Sequence, residues 1–385
     1  MVIAPDSFGG TLSAAEAAAA IAAGWARSVP ADELRELPLA DGGTGFVEVL
    51  HAALGGQLCP TVVTGPLDGT RVRARWLRVE HGGERDGAVV GYLESAQACG
   101  LHLVAQSRRG PEAARRATSR GVGELIVAAV AAGLDRLVVG LGGSACTDCG
   151  AGALAVLGAA PVDGDGDPLP DGGAALIGCL GLTGMPRLPS RTRLVVAADV
   201  DNPLLGRHGA ASVFGPQKGA DPATVAELEC GLSRYVTVLA GAFGRAPAEL
   251  SATPGAGAAG GLGAALLALG AQRVSGAALV RELTGLDAAL DIADLVVTGE
   301  GSFDWQSLRG KLVTSVAHGA AERGLPCLVL AGQVSVGRRE AAAMGVQETH
   351  SVAEHVGSVD AAMADPAGSL ADLAALVASQ WSGVR

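Results

Sequence analysis

The chain has 385 residues, 49% of them hydrophobic and 17% charged, which excludes intrinsic disorder and suggests two domains, at most three. Its 28 basic and 39 acidic residues leave a net charge of −11 with no basic patch, which excludes nucleic acid and anionic membrane surfaces as partners. Fifty-eight glycines without a collagen period point to many tight turns and backbone-lined loops.

In chain order, Val2-Ile3-Ala4 reads as a strand running into Pro5-Asp6. With no charged n-region or apolar h-region ahead of it, a cytoplasmic location is expected. Ser13-Ala-Ala-Glu16 is a capping box that opens a helix to about Trp25. A short strand over Leu34–Leu37 leads to the turn Asp41-Gly42-Gly43 and a helix from about Gly45. From Cys59 to Leu93 strand follows strand, with Arg71–Val79 and Ala88–Leu93 the clearest. Alternation then resumes with a helix over Gly121–Ala132 and strands at Arg136–Val139, Leu194–Ala197, Leu295–Thr298 and Cys327–Leu330. Alternating β-branched and alanine-rich runs predict an α/β fold on parallel sheets. No Pro/Ser linker and no repeat divides the chain, which suits one domain inserted within another. The uncharged stretch from Glu249 to Arg273 has the length of a membrane span. Pro254, six glycines and mostly alanine between them favour a buried glycine loop leading into a helix.

Ligands of open parallel sheets bind beyond the carboxyl ends of the strands. Those ends carry Asp6-Ser7, Asp41-Gly42-Gly43, Gly142-Gly143-Ser144, Asp199-Val-Asp201-Asn202, Gly299-Glu300-Gly301 and Gly332-Gln333. Acids and glycines with almost no histidine suit a phosphate held by backbone N–H groups and a metal held by carboxylates. The runs Gly140-Leu-Gly142-Gly143-Ser144-Ala145 and Gly255-Ala-Gly257-Ala-Ala-Gly260 both match loose dinucleotide fingerprints, with Asp163 as the ribose acid in one reading and tight helix–sheet packing as the alternative. No Walker A sequence and no G-x-S-x-G elbow occurs. Asp163-Gly-Asp165-Gly-Asp167 imitates a calcium loop, but Pro168 and Ala174 stand where glycine and glutamate belong, so it reads as a turn. The seven cysteines include a lone Cys146-x-x-Cys149 with nothing to complete a zinc site, so reduced thiols are expected.

Of the 28 basic residues only Lys218 and Lys311 are lysines, each in a glycine-flanked loop, as if a compact ammonium were required there. Asp199 and Asp201 point the same way if the chain stays extended, and could hold Mg²⁺ or divide into a base and a metal ligand; a capping acid and a turn acid is the other reading.

Seven motifs in order resemble the bacterial glycerate kinases. They are Ala4-Pro-Asp-Ser-Phe8, Pro38-Leu-Ala-Asp-Gly-Gly43, Gly140-Leu-Gly-Gly-Ser144, Asp199-Val-Asp-Asn-Pro-Leu-Leu-Gly206, Phe214-Gly-Pro-Gln-Lys-Gly219, Pro254-Gly-Ala-Gly-Ala-Ala-Gly-Gly-Leu-Gly263, and Val297-Thr-Gly-Glu-Gly301 with Asp304 and Gln306. The resemblance implies phosphorylation of D-glycerate by ATP with Mg²⁺, giving 2-phosphoglycerate or 3-phosphoglycerate. It also implies two α/β domains: a flavodoxin-like one from residues 1–65 and 285–385 and an inserted mixed one from 66–284, with the active site in the cleft between them and a homodimer as a candidate assembly. Three positions depart from the family's habit: Gly9 replaces lysine, Thr44 glutamate and Ser302 arginine.

In the expected mechanism Asp199 or Asp201 takes the substrate proton while the other holds Mg²⁺, and Lys311 neutralises charge on the transferred group. Asp41 belongs to the catalytic set. Asp6, Ser7, Lys218 and Asn202 bind substrate. Gly142, Gly143, Ser144, Gly257, Gly260, Gly261, Gly299 and Glu300 hold the nucleotide and its phosphates. A kinase for another small hydroxy acid, a non-catalytic nucleotide-binding relative and an NAD-dependent oxidoreductase are the rival readings.

Overall fold

The computed structural model describes residues 1–81, 87–188, 191–305, 307–308 and 312–382. The chain divides into two compact units, one made of Met1–Asp41, Glu48–Leu54 and Gly276–Arg385, the other of Gly42–Val47 and Gly55–Ser275.

The first unit is built on a five-stranded sheet. Its strands are Val2–Ile3, Arg35–Glu36, Val296–Thr298, Cys327–Ala331 and Glu348–Ser351. Every pairing is parallel, and in the order of the sheet they run second, first, third, fourth, fifth. That is the flavodoxin-like order, whose connections part company between the first and third strands. The central strands are aliphatic and fully buried, as a sheet covered on both faces requires.

Helix Ala14–Ser28 opens as predicted, with the Ser13 side chain accepting the Glu16 N–H and the Glu16 carboxylate accepting the Ser13 N–H. It packs on the C-terminal helix Pro366–Ser382 where Gly24 lets the backbones touch, since a Cβ there would lie 2.0 Å from the Ala371 carbonyl oxygen. Ile3, Ile21, Trp25, Val297, Leu328 and Leu370 centre this unit's core.

The second unit carries a six-stranded mixed sheet. Gln57–Thr64, Arg71–His81 and Ala88–Glu94 form an antiparallel meander, and Arg136–Gly140, Arg193–Ala197 and Gln272–Val274 continue it in parallel. The expected boundary at residue 65 needs correction, because strand Gln57–Thr64 pairs along its whole length with Arg71–His81 and so belongs to the second unit. The far boundary moves likewise, from 285 to 276, where helix Gly276–Thr284 joins the first unit.

Among the described residues no helix is long and apolar enough to cross a membrane. The uncharged stretch folds instead as a glycine turn at Ala258–Gly261 and the short helix Leu262–Ala268. All seven cysteines are free thiols, five of them buried. The Asp163 turn is a turn, its carboxylate accepting the N–H groups of Asp165 and Asp167.

Candidate active site

In the first unit the chain leaves strands Val2–Ile3 and Val296–Thr298 side by side, at the point where the sheet's connections diverge. The Asp6 N–H donates to the Gly299 carbonyl at 2.8 Å, and the Ser7 N–H donates to Asp6 Oδ1 at 2.6 Å. Both loops need glycine for close approach. A Cβ on Gly299 would lie 1.9 Å from the Leu330 carbonyl oxygen, and one on Gly301 would lie 3.0 Å from the Gly9 nitrogen.

Asp41 and Glu300 both act on Asp6, so three acids predicted from distant stretches meet here. The Asp6 carboxyl is held well above its usual value of 3.8, by burial first and by the Asp41 charge next, with Glu300 adding and the Ser7 N–H pulling back. A carboxyl so raised holds a proton more tightly than an exposed carboxylate does. Ser7, Gly9, Glu300 and Ser302 line one cavity of about 470 Å³. The two departures Gly9 and Ser302 therefore fall in the same hollow. Lys311 and Gln306 lie outside the described residues.

In the second unit, Gly142-Gly143-Ser144 follows strand Arg136–Gly140 and lies against the Gly42–Thr44 turn. A Cβ on Gly142 would meet the Gly43 Cα at 2.6 Å, and Gly143 is left-handed at φ 63°. Lys218, expected at the substrate, is instead 4% exposed beneath this loop. Its ammonium donates to Cys146 O at 2.6 Å, Ser144 Oγ at 3.2 Å and Thr147 Oγ1 at 3.5 Å. Desolvation lowers its pKa from 10.5. Its donors are thus engaged with the loop itself.

Asp199 accepts the Ser275 hydroxyl at 2.6 Å, and Asp201 is ion-paired with Arg273 at 2.6 Å. The predicted metal pair is thus split between two partners. Among the described residues no three His, Cys, Asp or Glu side chains are arranged to hold a metal. Asp201, tied to Arg273, does not fit a metal ligand. A lone carboxylate such as Asp199 does fit a Mg²⁺ that keeps waters and phosphate oxygens as its other ligands. Asn202 is also committed locally: its side chain donates to His208 O at 2.8 Å, and its carbonyl accepts the Gly257 N–H at 2.9 Å.

The Gly257–Gly261 turn serves packing. A Cβ on Gly260 would lie 1.9 Å from the Cys146 carbonyl oxygen, and one on Gly261 would lie 2.8 Å from the Cys149 Cα. The N–H groups of Gly257 and Gly261 go to Asn202 O and Gly257 O, so they are not aimed at a phosphate. The dinucleotide reading weakens with them. Asp163 is spent on its own turn, and ten residues separate Gly140 from the helix Ala151–Val156.

Two buried acids escaped the sequence reading. Glu94 is 2% exposed at the end of strand Ala88–Glu94 and accepts the N–H groups of Gly45 at 3.1 Å and Val47 at 3.4 Å. It thereby fixes the turn that carries Gly42 and Gly43. Asp148 is fully buried and accepts the Ser119 N–H and hydroxyl, both at 2.8 Å, and the N–H groups of Gly150 and Gly152. Burial raises its pKa, and those hydrogen bonds oppose the rise. The available signals were an acid closing an apolar strand and an acid soon after Gly-Gly-Ser, the latter hidden inside the Cys-x-x-Cys spacing.

Residues 1–382 match the model of the glycerate kinase family. The chain belongs to that family. It is accordingly a phosphotransferase. It is 40% identical over 366 residues to the glycerate 2-kinase of Escherichia coli, covering 94% of this chain and 92% of that one. It is 37% identical to a glycerate kinase of Halalkalibacterium halodurans, over 99% and 98% of the two chains. An uncharacterized Mycobacterium tuberculosis protein is 47% identical over 99% of this chain and 91% of its own length. The crystal structure provisionally assigned as glycerate kinase 2 from Salmonella typhimurium LT2 aligns with a TM-score of 0.75 and 37% identity, covering 100% and 98%.

Proposed function

We propose that the chain transfers the γ-phosphoryl group of MgATP to a hydroxyl of D-glycerate, giving 2-phosphoglycerate. The observation that carries this reading is the family match over residues 1–382, with the acid cluster Asp6, Asp41 and Glu300 at the divergence of the first unit's sheet as its chemical complement. Phosphoryl transfer asks chiefly for positioning and charge neutralisation.

Asp6 is the better proton acceptor. Its carboxyl, made more basic by burial and by the Asp41 charge, takes the hydroxyl proton as the phosphorus–oxygen bond forms and ADP leaves, while Asp41 and Ser7 hold the acid's hydroxyls. Gly142, Gly143 and Ser144 hold phosphate oxygens through N–H and O–H donors, with Lys218 supplying positive charge beneath them. Asp199 offers one carboxylate to Mg²⁺, which neutralises phosphate charge when bound. Lys311 keeps its role on the transferred group as a proposal from its place after Arg309-Gly310. A cytoplasmic location goes with this reading, because it draws on the cell's ATP.

One observation favours a second acceptor. Gly9, two residues after Ser7, stands where the family's habit is lysine, which suits a hydroxy acid less highly charged than the usual substrate. ADP release from MgATP, with and without D-glycerate, tests both readings. Glycerate-dependent release with 2-phosphoglycerate as the ³¹P NMR product supports the first. Release only with another hydroxy acid supports the second, and no release with any acid refutes both.

A further inference from the structure

The 470 Å³ cavity of the first unit has two unlike walls. One is polar and formed from strand ends: Ser7, Thr11, Glu300, Ser302, Asp304 and Gln333, interleaved with the bare backbones of Gly301 and Gly332. The other is apolar and formed from the helical C-terminal segment: Val352, Ala353, Val359, Ala362, Met363 and Pro366. Val359 and Met363 keep 42% and 57% of their surface exposed, so this wall is left uncovered.

Each feature narrows the ligand. The volume lies within the range of small-molecule sites, about 300–1,000 Å³. The position is the divergence point of a flavodoxin-order sheet, where such folds take nucleotides. Two carboxylates and no lysine, arginine or histidine among the described lining residues offer no cation to neutralise a phosphate or a carboxylate. They do offer acceptors for hydroxyl and amino groups. An aliphatic wall facing backbone glycines suits the two faces of a flat ring. We propose that this cavity is the nucleoside subsite, taking the neutral adenosine portion of ATP with the base against Met363 and Ala353 and the ribose hydroxyls toward Glu300 and Asp304. The inference rests on the kinase reading only for the identity of the nucleotide.

The probe is adenosine itself, which lacks the phosphates that other groups would hold. Titration calorimetry on the full chain is expected to show saturable adenosine binding that persists in 0.5 M salt on the order of the unsalted affinity, because neither partner carries a charge pair to screen. Met363→Glu, at an exposed position, is expected to weaken adenosine and ATP at least about tenfold, 1.4 kcal/mol by RT ln 10, while D-glycerate binding stays unchanged. Photolabelling of the wild type with 2-azidoadenosine is expected to mark the peptide containing Val359–Met363, which keeps the test independent of any variant's folding. Labelling confined to the second unit overturns the proposal, as does loss of D-glycerate rather than adenosine binding in Met363→Glu. Glycerate-dependent turnover of MgATP without adenosine binding also overturns it and leaves the kinase standing. Adenosine binding at this wall without turnover of any hydroxy acid upholds the subsite and overturns the kinase.

Discussion

The Lys218 ammonium lies 3.2 Å from Ser144 Oγ and 2.6 Å from the Cys146 carbonyl oxygen, buried within the second unit. Because the ammonium can only donate, Ser144 must accept, and its own proton is left to point elsewhere. Lys218 thus prepares Ser144 as a donor and puts a charge under a loop of left-handed glycine.

Lys218→Met leaves the Cys146 carbonyl orphaned, a loss of about 1–3 kcal/mol of stability. It is also expected to raise the KM for ATP by at least about tenfold, 1.4 kcal/mol. Ser144→Ala is expected to raise the same KM, and the double variant is expected to cost less than the sum of the two. Additive effects in that double-mutant cycle would show that the two residues act apart.

Asp6→Asn separates function from stability. The raised carboxyl binds its proton more tightly when folded than when unfolded, so it costs stability once pH exceeds the ordinary value of 3.8. The variant is expected to lose about a hundredfold or more in kcat, the usual worth of a general base. It is also expected to melt higher than the wild type at pH 8, with the difference vanishing near pH 3. A lower melting temperature at pH 8 would refute the carboxyl's assigned environment.

Asp199 and Asp201 are expected to part company. Asp199→Asn should raise the Mg²⁺ concentration giving half-maximal turnover by about tenfold, 1.4 kcal/mol. Asp201→Asn removes only a pair whose acid is 78% exposed, worth about 0–1 kcal/mol, and should leave turnover within about twofold. Magnesium titrations of both variants check this, and an equal effect on the two would restore the metal pair.

Gly260→Ala tests packing against phosphate binding. Gly260 has φ 68° and no room for a Cβ beside the Cys146 carbonyl. Left-handed strain of about 1–2 kcal/mol and overpacking of about 1–3 kcal/mol should together lower the melting temperature markedly. Denaturant unfolding measures that loss directly. Unchanged stability with a raised KM for ATP would return Gly260 to the phosphate site.

Much of the architecture was legible because it is local. The Ser13–Glu16 box, the buried aliphatic strands and the meander before Leu93 each follow from side chains within a few residues of one another. The acids and glycines of the candidate site were legible as strand-end residues for the same reason. Their partners were not. Nothing within ten residues of Asp201 announces Arg273, and the odd position of Lys218 in a glycine loop suggested a surface ligand rather than a buried prop.

By itself, then, the sequence determined which stretches end in acids or glycine, because periodicity is written along the chain, and its ordered motifs carried the resemblance that implied the family and a flavodoxin-like fold for the outer segments. Only the tertiary structure decided what those groups touch. It gathered Asp41 and Glu300 around Asp6, whose carboxyl they help to raise, split Asp199 from Asp201, sank Lys218 beneath Ser144, and placed Gly9 and Ser302 in one hollow. A carboxylate's chemistry is set by burial and by charges a few ångströms away. Those neighbours come from sequence separations of tens to hundreds of residues, which folding alone brings together.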